Sequence, residues 1–258
     1  MLLAASQAPQ DMTVGSVISE YAYATPSEFP PLGADDKGRP LIEYATQGAA
    51  IIALPSVCAG VFVMLLGMCG GLLQCIQAPK ISLIVRILGE LLGALPRLVV
   101  LLVVALILPY DWKGLLPLAL TWAILSAPSA MDEAGSVAQR LGGSRFVEAL
   151  KAHGFSAWRI YLYHIVLLNL RPVVVRQGAE QMMQVAFLEI SLSYLAKVQD
   201  QSSFTHPDNL HSWAELLYQG YVGLVIDIDS LHILALGLVL IALVVIMAFA
   251  FARAAEAR

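Results

Sequence analysis

An all-α membrane protein with about five transmembrane helices is the fold class this sequence predicts, on three observations. The chain of 258 residues is 59% hydrophobic and only 13% charged, with a mean hydropathy of +0.75, whereas soluble domains carry about a quarter charged residues. No Asp, Glu, Lys or Arg interrupts the runs between Glu43 and Lys80, between Lys113 and Asp132, or between Asp229 and Arg253. Each run can hold a helix of about 20 residues, the length that crosses roughly 30 Å of hydrocarbon. Finally, Ser144 to His164 is a charged, amphipathic stretch set between apolar ones, as a loop outside the bilayer would be.

The elements follow in order. Residues 1–47, acidic and marked by Pro26, Pro30, Pro31 and Pro40, read as an extracytoplasmic lead-in with an interfacial helix. MLLAASQAPQD has no basic residue ahead of its short apolar stretch, which makes it a poor secretory signal. A transmembrane domain is expected over 48–252 and a cytoplasmic tail over 253–258. Its first span runs from about Gly48 to Leu73, where Gly60, Gly67, Gly70 and Gly71 allow close helix approach. A second, from about Ile81 to Leu108, contains Arg86, Glu90 and Arg97. Leu115 to Ala130 forms a third, interrupted near its end by Pro128. After a cytoplasmic loop over 131–164, Ile165 to Tyr194 forms a fourth span that carries Arg171, Pro172, Arg176, Glu180 and Glu189. An extracytoplasmic loop occupies 195–230, and Leu231 to Ala252 is the last span. No repeat or linker divides the chain.

Orientation follows from the basic residues, which are retained on the cytoplasmic side. With the loop around Glu148 inside, Lys80, Arg86, Arg140, Arg145, Lys151, Arg159, Arg253 and Arg258 lie on or near that side. Lys37, Arg39, Lys113 and Lys197 lie on the other. The asymmetry places the C-terminus inside and, with an odd number of spans, the N-terminus outside.

Several function classes fall away. A net charge of −4 and the lack of a basic stripe with interleaved aromatics argue against nucleic acid. Cys58, Cys69 and Cys75 match no zinc or redox spacing and read as small packing residues. His206, Asp208 and His211 are interrupted by Pro207 and Asn209 and lack the one-face geometry of a helical ligand pair, so no metal site is expected. No nucleophile elbow, P-loop or zincin motif occurs. No catalytic residue is expected, and ATP cannot bind through a Walker sequence of this chain.

From Arg145 to His153 the apolar Phe146, Ala149 and Leu150 recur at i, i+3 and i+4. That spacing predicts a short helix with one apolar ridge suited to a partner's groove, while Glu148, Lys151 and His153 point elsewhere. Gly154 ends it, since glycine adopts the left-handed conformation at little cost. An ordinary amphipathic cytoplasmic loop is the plainer alternative. Charges within a span are costly, so Arg171, Arg176, Glu180 and Glu189 are expected to face protein or water. Arg176 and Glu180 stand at i, i+4 and can pair along one face. The four either line a pathway or contact another subunit.

Three blocks carry a family resemblance. Glu148-Ala149, Gly154, Arg159 and His164 have the spacing of the EAA loop. Pro31-Leu32-Gly33-Ala34-Asp35-Asp36-Lys37-Gly38-Arg39, followed by Gly48, is similar to a PLGTDDxGRD block. Glu189 to Leu195 resembles EASLSFL, and Ser212-Trp213 a later SWG. In this order the chain resembles the second permease subunit of binding-protein-dependent ABC importers of the dipeptide, oligopeptide and nickel type. Pro40, Tyr44, Ala50 and Leu150 depart from the customary residues, and Ala196-Lys197-Val198 stands where GLG is usual.

The resemblance implies a type I ABC importer permease fold with a cytoplasmic coupling helix; a span customarily precedes the PLGTDD block, and here either the start lies upstream or the subunit has lost that helix. It implies a multi-pass protein of the bacterial inner membrane that forms half of a translocation pathway for a di- or oligopeptide. Nickel, a metallophore or another small solute is the alternative cargo. Implied partners are a second homologous permease, two ATPases that bind ATP and Mg, an extracytoplasmic substrate-binding protein and membrane lipid. Arg145, Phe146, Glu148, Ala149, Leu150, Lys151, His153 and Gly154 are then expected to couple to the ATPases. Asp35, Asp36, Arg39, Ser212 and Trp213 are expected at the binding-protein docking surface or outer mouth. A secondary transporter would need a complete pathway from paired repeats, and an intramembrane enzyme a nucleophile and base at bilayer depth; the sequence offers neither.

Overall fold

The computed structural model describes residues 21–75, 79–109, 114–142, 145–156, 158–198, 211–226 and 229–256. From Leu41 onward these are mostly helical; residues 21–40 are turns and loop with an isolated antiparallel bridge between Ala34 and Pro40, and there is no strand among the described residues. The helices are α1 (Leu41–Cys75), α2 (Pro79–Ala94), α3 (Arg97–Ile107), α4 (Leu115–Gly142), α5 (Arg145–Ala152), a π-helical segment (Arg159–Leu170), α6 (Arg171–Val198), α7 (Trp213–Val225) and α8 (Leu231–Glu256). Three are long and apolar enough to cross a membrane: α1 over Leu41–Leu73, α4 over Leu115–Arg140 and α8 over Leu231–Ala254. The chain is thus an all-helical protein with three membrane-spanning candidates among the described residues, against the five spans expected.

Several boundaries differ from the sequence expectation, each for a physical reason. The helix expected from Gly48 begins at Leu41; of the lead-in expected to hold an interfacial helix, residues 1–20 lie outside the described residues. Glu43 in its first turn complements the positive helix end. The stretch from Ile81 to Leu108 is two helices rather than one span, parted at Leu95 and Pro96. Proline has no amide hydrogen and its ring collides with the carbonyl four residues back, so α2 closes with Leu95 bonding Leu92 at 3.3 Å and α3 starts on the Pro96 carbonyl. Pro128, by contrast, does not interrupt α4, which runs on to Gly142. Hydroxyls of Ser126 and Ser129 donate to the carbonyls of Trp122 and Ser126 at 2.9 and 2.8 Å, the kind of contact that lets an apolar helix keep a proline. The fourth stretch is longer than expected, because the π-helical segment passes directly into α6. There the Asn169 side chain donates to the His164 carbonyl.

The contacts fall into two units. One comprises Val57–Ile107, Leu118–Met183 and Met247–Arg258. In it α1 and α6 cross at two glycines: a Cβ on Gly60 would lie 2.9 Å from the Gly178 carbonyl oxygen, and one on Gly178 3.3 Å from that of Gly60. Backbones meet this closely only where no side chain stands between them. Beside that crossing, Ala134 and Ala138 of α4, Val147 of α5, Ile160, Ile165, Val166 and Leu170 of the π-helical segment and Val174 of α6 form one buried cluster.

The other unit comprises Met1–Ser56, Leu108–Pro117 and Gln184–Ile246. Trp213 is its largest fully buried side chain among the described residues; the indole lies on Gly48, where a Cβ would overlap it, and donates to the Ala45 carbonyl at 3.3 Å. Burying an indole contributes roughly 2 to 3 kcal/mol, provided its N–H finds a partner, as here.

Candidate functional site

Helix α5 is short, and its two ends explain why it holds its shape. Glu148 lies in its first turn and Lys151 in its last, each matching the partial charge of the helix end. Gly154 follows with φ +80°. Its amide bonds the Lys151 carbonyl at 3.0 Å, and the Phe155 amide bonds that of Leu150 at 3.2 Å. This pair of reversed bonds is the Schellman stop that Gly154 was expected to supply. The His153 ring bonds the Ala149 carbonyl at 2.7 Å.

The helix shows two faces. Val147 is buried, and Leu150 and Phe155 pack on the same cluster as Ala134, Ile165 and Val174. Glu148, Ala149, Lys151 and His153 are exposed. Leu150 was expected on an outward ridge with Ala149; it instead joins Val147, three residues earlier, in the chain's own core. The side chains of Arg145 and Phe146 lie outside the described residues. Val147 was missed by sequence reasoning, although its i, i+3 relation to Leu150 is the signal that finds it.

The charges on α6 part company. Arg176 pairs with Glu133 of α4, which also accepts from the Gln177 amide. Glu180, the expected i, i+4 partner, also forms an ion pair with Arg176 at 3.9 Å, longer than a hydrogen bond. Arg171 is exposed. Glu189, with its side chain fully buried, accepts from the Ser193 hydroxyl at 2.8 Å. Glu90 and Arg97 sit on different helices, and the Arg97 guanidinium lies 6.0 Å from the Trp122 ring centre.

The block around Asp35 folds into a tight loop ahead of α1, and its central carboxylate is 0% exposed. Asp35 accepts from the amides of Lys37 and Arg39 at 2.9 and 2.7 Å, from Arg39 Nε at 2.7 Å and from the Tyr44 hydroxyl at 2.7 Å. Arg39 also donates to Tyr44 at 2.6 Å and meets His211 Nε2 at 2.7 Å. His211 Nδ1 lies 2.9 Å from Glu215, which pairs with Lys197 at 2.6 Å. Burial works against the Glu215 carboxylate, yet the bonds from His211 and Lys197 outweigh it and hold it below the usual carboxylate range. Burial and the neighbouring Asp35 charge push Asp36 up.

Asp35, Ser212 and Trp213, expected at a docking surface or outer mouth, are all buried within the fold. An ion with four donors around it is satisfied inside the fold and needs no partner. Asp36 and Arg39 are half-buried and Lys37 is exposed. His206 and Asp208 lie outside the described residues. His211 engages Arg39 and Glu215, and no group of His, Cys, Asp or Glu able to hold a metal occurs among the described residues. Scanned against protein-family models the chain matches none, and a search of curated proteins finds no match either.

Proposed function

We propose that the chain is the membrane-spanning permease subunit of an ATP-driven importer, forming half of a pathway for a peptide-like solute. The observation that carries this reading is the two-faced helix α5 at the position of the EAA-like spacing. Its polar face, Glu148, Lys151 and His153, is free for a nucleotide-hydrolysing partner, while Val147 and Leu150 tie it to α4, the π-helical segment and α6. Closure of two ATPases on bound ATP would push this face, and a close-packed core transmits displacement rather than absorbing it. Alternating access then follows as a population shift between inward-open and outward-open arrangements, biased by ATP bound elsewhere.

Exposed Arg171 and half-exposed Arg176 and Glu180 are available to the cargo route or to a second permease. The buried Asp35 loop would brace the outer surface on which a binding protein lands.

Affinity purification of the full chain from its native membrane tests the reading. It predicts recovery of an ATPase, and loss of that recovery by roughly tenfold or more with Glu148→Lys, since a like or misplaced charge at a docking rim costs several kcal/mol. Solute uptake by the chain alone in liposomes, or ATPase recovery unchanged by Glu148→Lys, contradicts it.

A further inference from the structure

Residues 158–168 turn one side to the chain's own core and expose the other. Bonding of the i→i+5 kind places positions about five apart on one face. Ile160, Ile165 and Leu170, so spaced, are buried. Trp158, Tyr163 and Leu168 form a second line with Leu167 beside it; Trp158 is 74% exposed and the other three about half. Next to the open indole, Arg159 is exposed as well. Its guanidinium stands 5.1 Å from the centre of the Phe155 ring, and Phe155 packs on the apolar cluster, so the charge is held at the edge of the segment. Arg171, also exposed, bounds the apolar line at its other end.

Charge and position both bear on what covers this side. No Asp or Glu stands between Glu148 and Glu180, whereas Lys151, Arg159, Arg171 and Arg176 do. The π-helical segment passes directly into α6, whose 28 residues at about 1.5 Å each span about 42 Å, more than the roughly 30 Å of hydrocarbon. With α6 crossing the bilayer as its sequence predicts, the segment before it lies outside the hydrocarbon. That is the level at which Trp and Tyr collect and at which anionic headgroups attract Arg and Lys.

We infer that the exposed side of residues 158–168 is a lipid-docking surface, seated in the headgroup layer of an anionic leaflet with Arg159 on phosphate and Trp158 and Tyr163 at the acyl boundary. Leu167 and Leu168 dip beneath them, as the apolar face of an interfacial helix does. This surface needs a bilayer and no ATPase, so it stands or falls apart from the permease reading.

Tryptophan quenching tests it on the full chain, reconstituted in vesicles of equal parts phosphatidylcholine and phosphatidylglycerol with bromine on the acyl chains of one lipid at a time. Subtracting the emission of Trp158→Phe from that of the native chain separates the Trp158 share from Trp112, Trp122 and Trp213. Bromines near the carbonyl end are expected to quench that share about twofold better than bromines near the methyl end. Bromine on phosphatidylglycerol is expected to quench it about threefold better than bromine on phosphatidylcholine, and Arg159→Gln to make the two equal. Should Arg159→Gln fail to fold, salt decides: near 1 M, where screening leaves a charge a reach of about 3 Å, the native preference is expected to vanish. Stronger quenching from the methyl end, equal quenching from the two headgroups, or a preference that survives Arg159→Gln or salt overturns the inference. If an ATPase is the natural cover of this side, Trp158 stands in water in vesicles that lack it and escapes every brominated lipid, which also overturns it.

Discussion

The Phe155 amide donates to the Leu150 carbonyl at 3.2 Å, and both side chains rest on one apolar cluster. One hydrogen bond and one shared contact thus fasten the end of α5 to the helices it would move. A lever needs this: force applied to an exposed face is delivered only if the opposite face is fixed.

Gly154 is the residue that permits the fastening, since its φ of +80° is reached by other L-residues only at a cost of about 1 to 2 kcal/mol. Gly154→Ala is expected to lower stability by that amount, read as a lower thermal midpoint in detergent. An unchanged midpoint would mean that the helix end tolerates a side chain.

Arg176 hydrogen-bonds Glu133 and pairs more loosely, at 3.9 Å, with Glu180. Glu133→Ala leaves Arg176 and Gln177 without their shared acceptor and is expected to cost about 1 to 3 kcal/mol. Glu180→Ala removes a half-exposed charge and is expected to cost at most about 1 kcal/mol. Denaturation of the two variants side by side checks the order.

What the sequence made legible divides along physical lines. Uncharged runs mark α1, α4 and α8 because length and apolarity are properties of the segment itself. Gly154 was readable as a helix stop because the left-handed conformation selects for glycine. Only the looser partner of Arg176 was readable: periodicity displays Glu180 one turn away, whereas Glu133 comes 43 residues earlier in the chain and meets Arg176 only through packing. Leu150 was placed on the wrong face because an apolar stripe looks the same whether it covers the chain's own core or a partner's groove. Asp35 was expected at a docking surface or outer mouth because nothing in a charged pentapeptide announces that its first carboxylate will be enclosed by Arg39 and Tyr44. Pro96 carried its signal openly, but the apolar run around it spoke for a single span.

At the crossing of α1 and α6, Gly60→Val drives a side chain toward the Gly178 carbonyl oxygen, against which even a Cβ would stand at 2.9 Å. Overpacking of this kind costs about 1 to 3 kcal/mol. The expected result is a lower thermal midpoint with the protein still inserted in the membrane, read from fractionation and detergent melts together.

Glu215 makes stability depend on pH. Its carboxyl is held below the ordinary 4.5 by His211 and Lys197 against the cost of burial. With a folded value below the unfolded one, the contribution is fully present above the unfolded value and is lost as pH falls through the folded one. The native protein is therefore expected to be more stable than Glu215→Gln near neutrality, with the gap narrowing as pH falls below the ordinary 4.5. Thermal midpoints of the pair across that range check the sign; a gap that widens toward acid contradicts it.

The most direct test of the account is a photo-crosslinker placed in turn at Glu148, Lys151 and Val147 of the full chain in its native membrane. Capture of an ATPase from Glu148 and Lys151, and not from buried Val147, is the predicted result. No ATPase from either exposed position, or equal capture from Val147, would contradict the assignment of α5 as the coupling face.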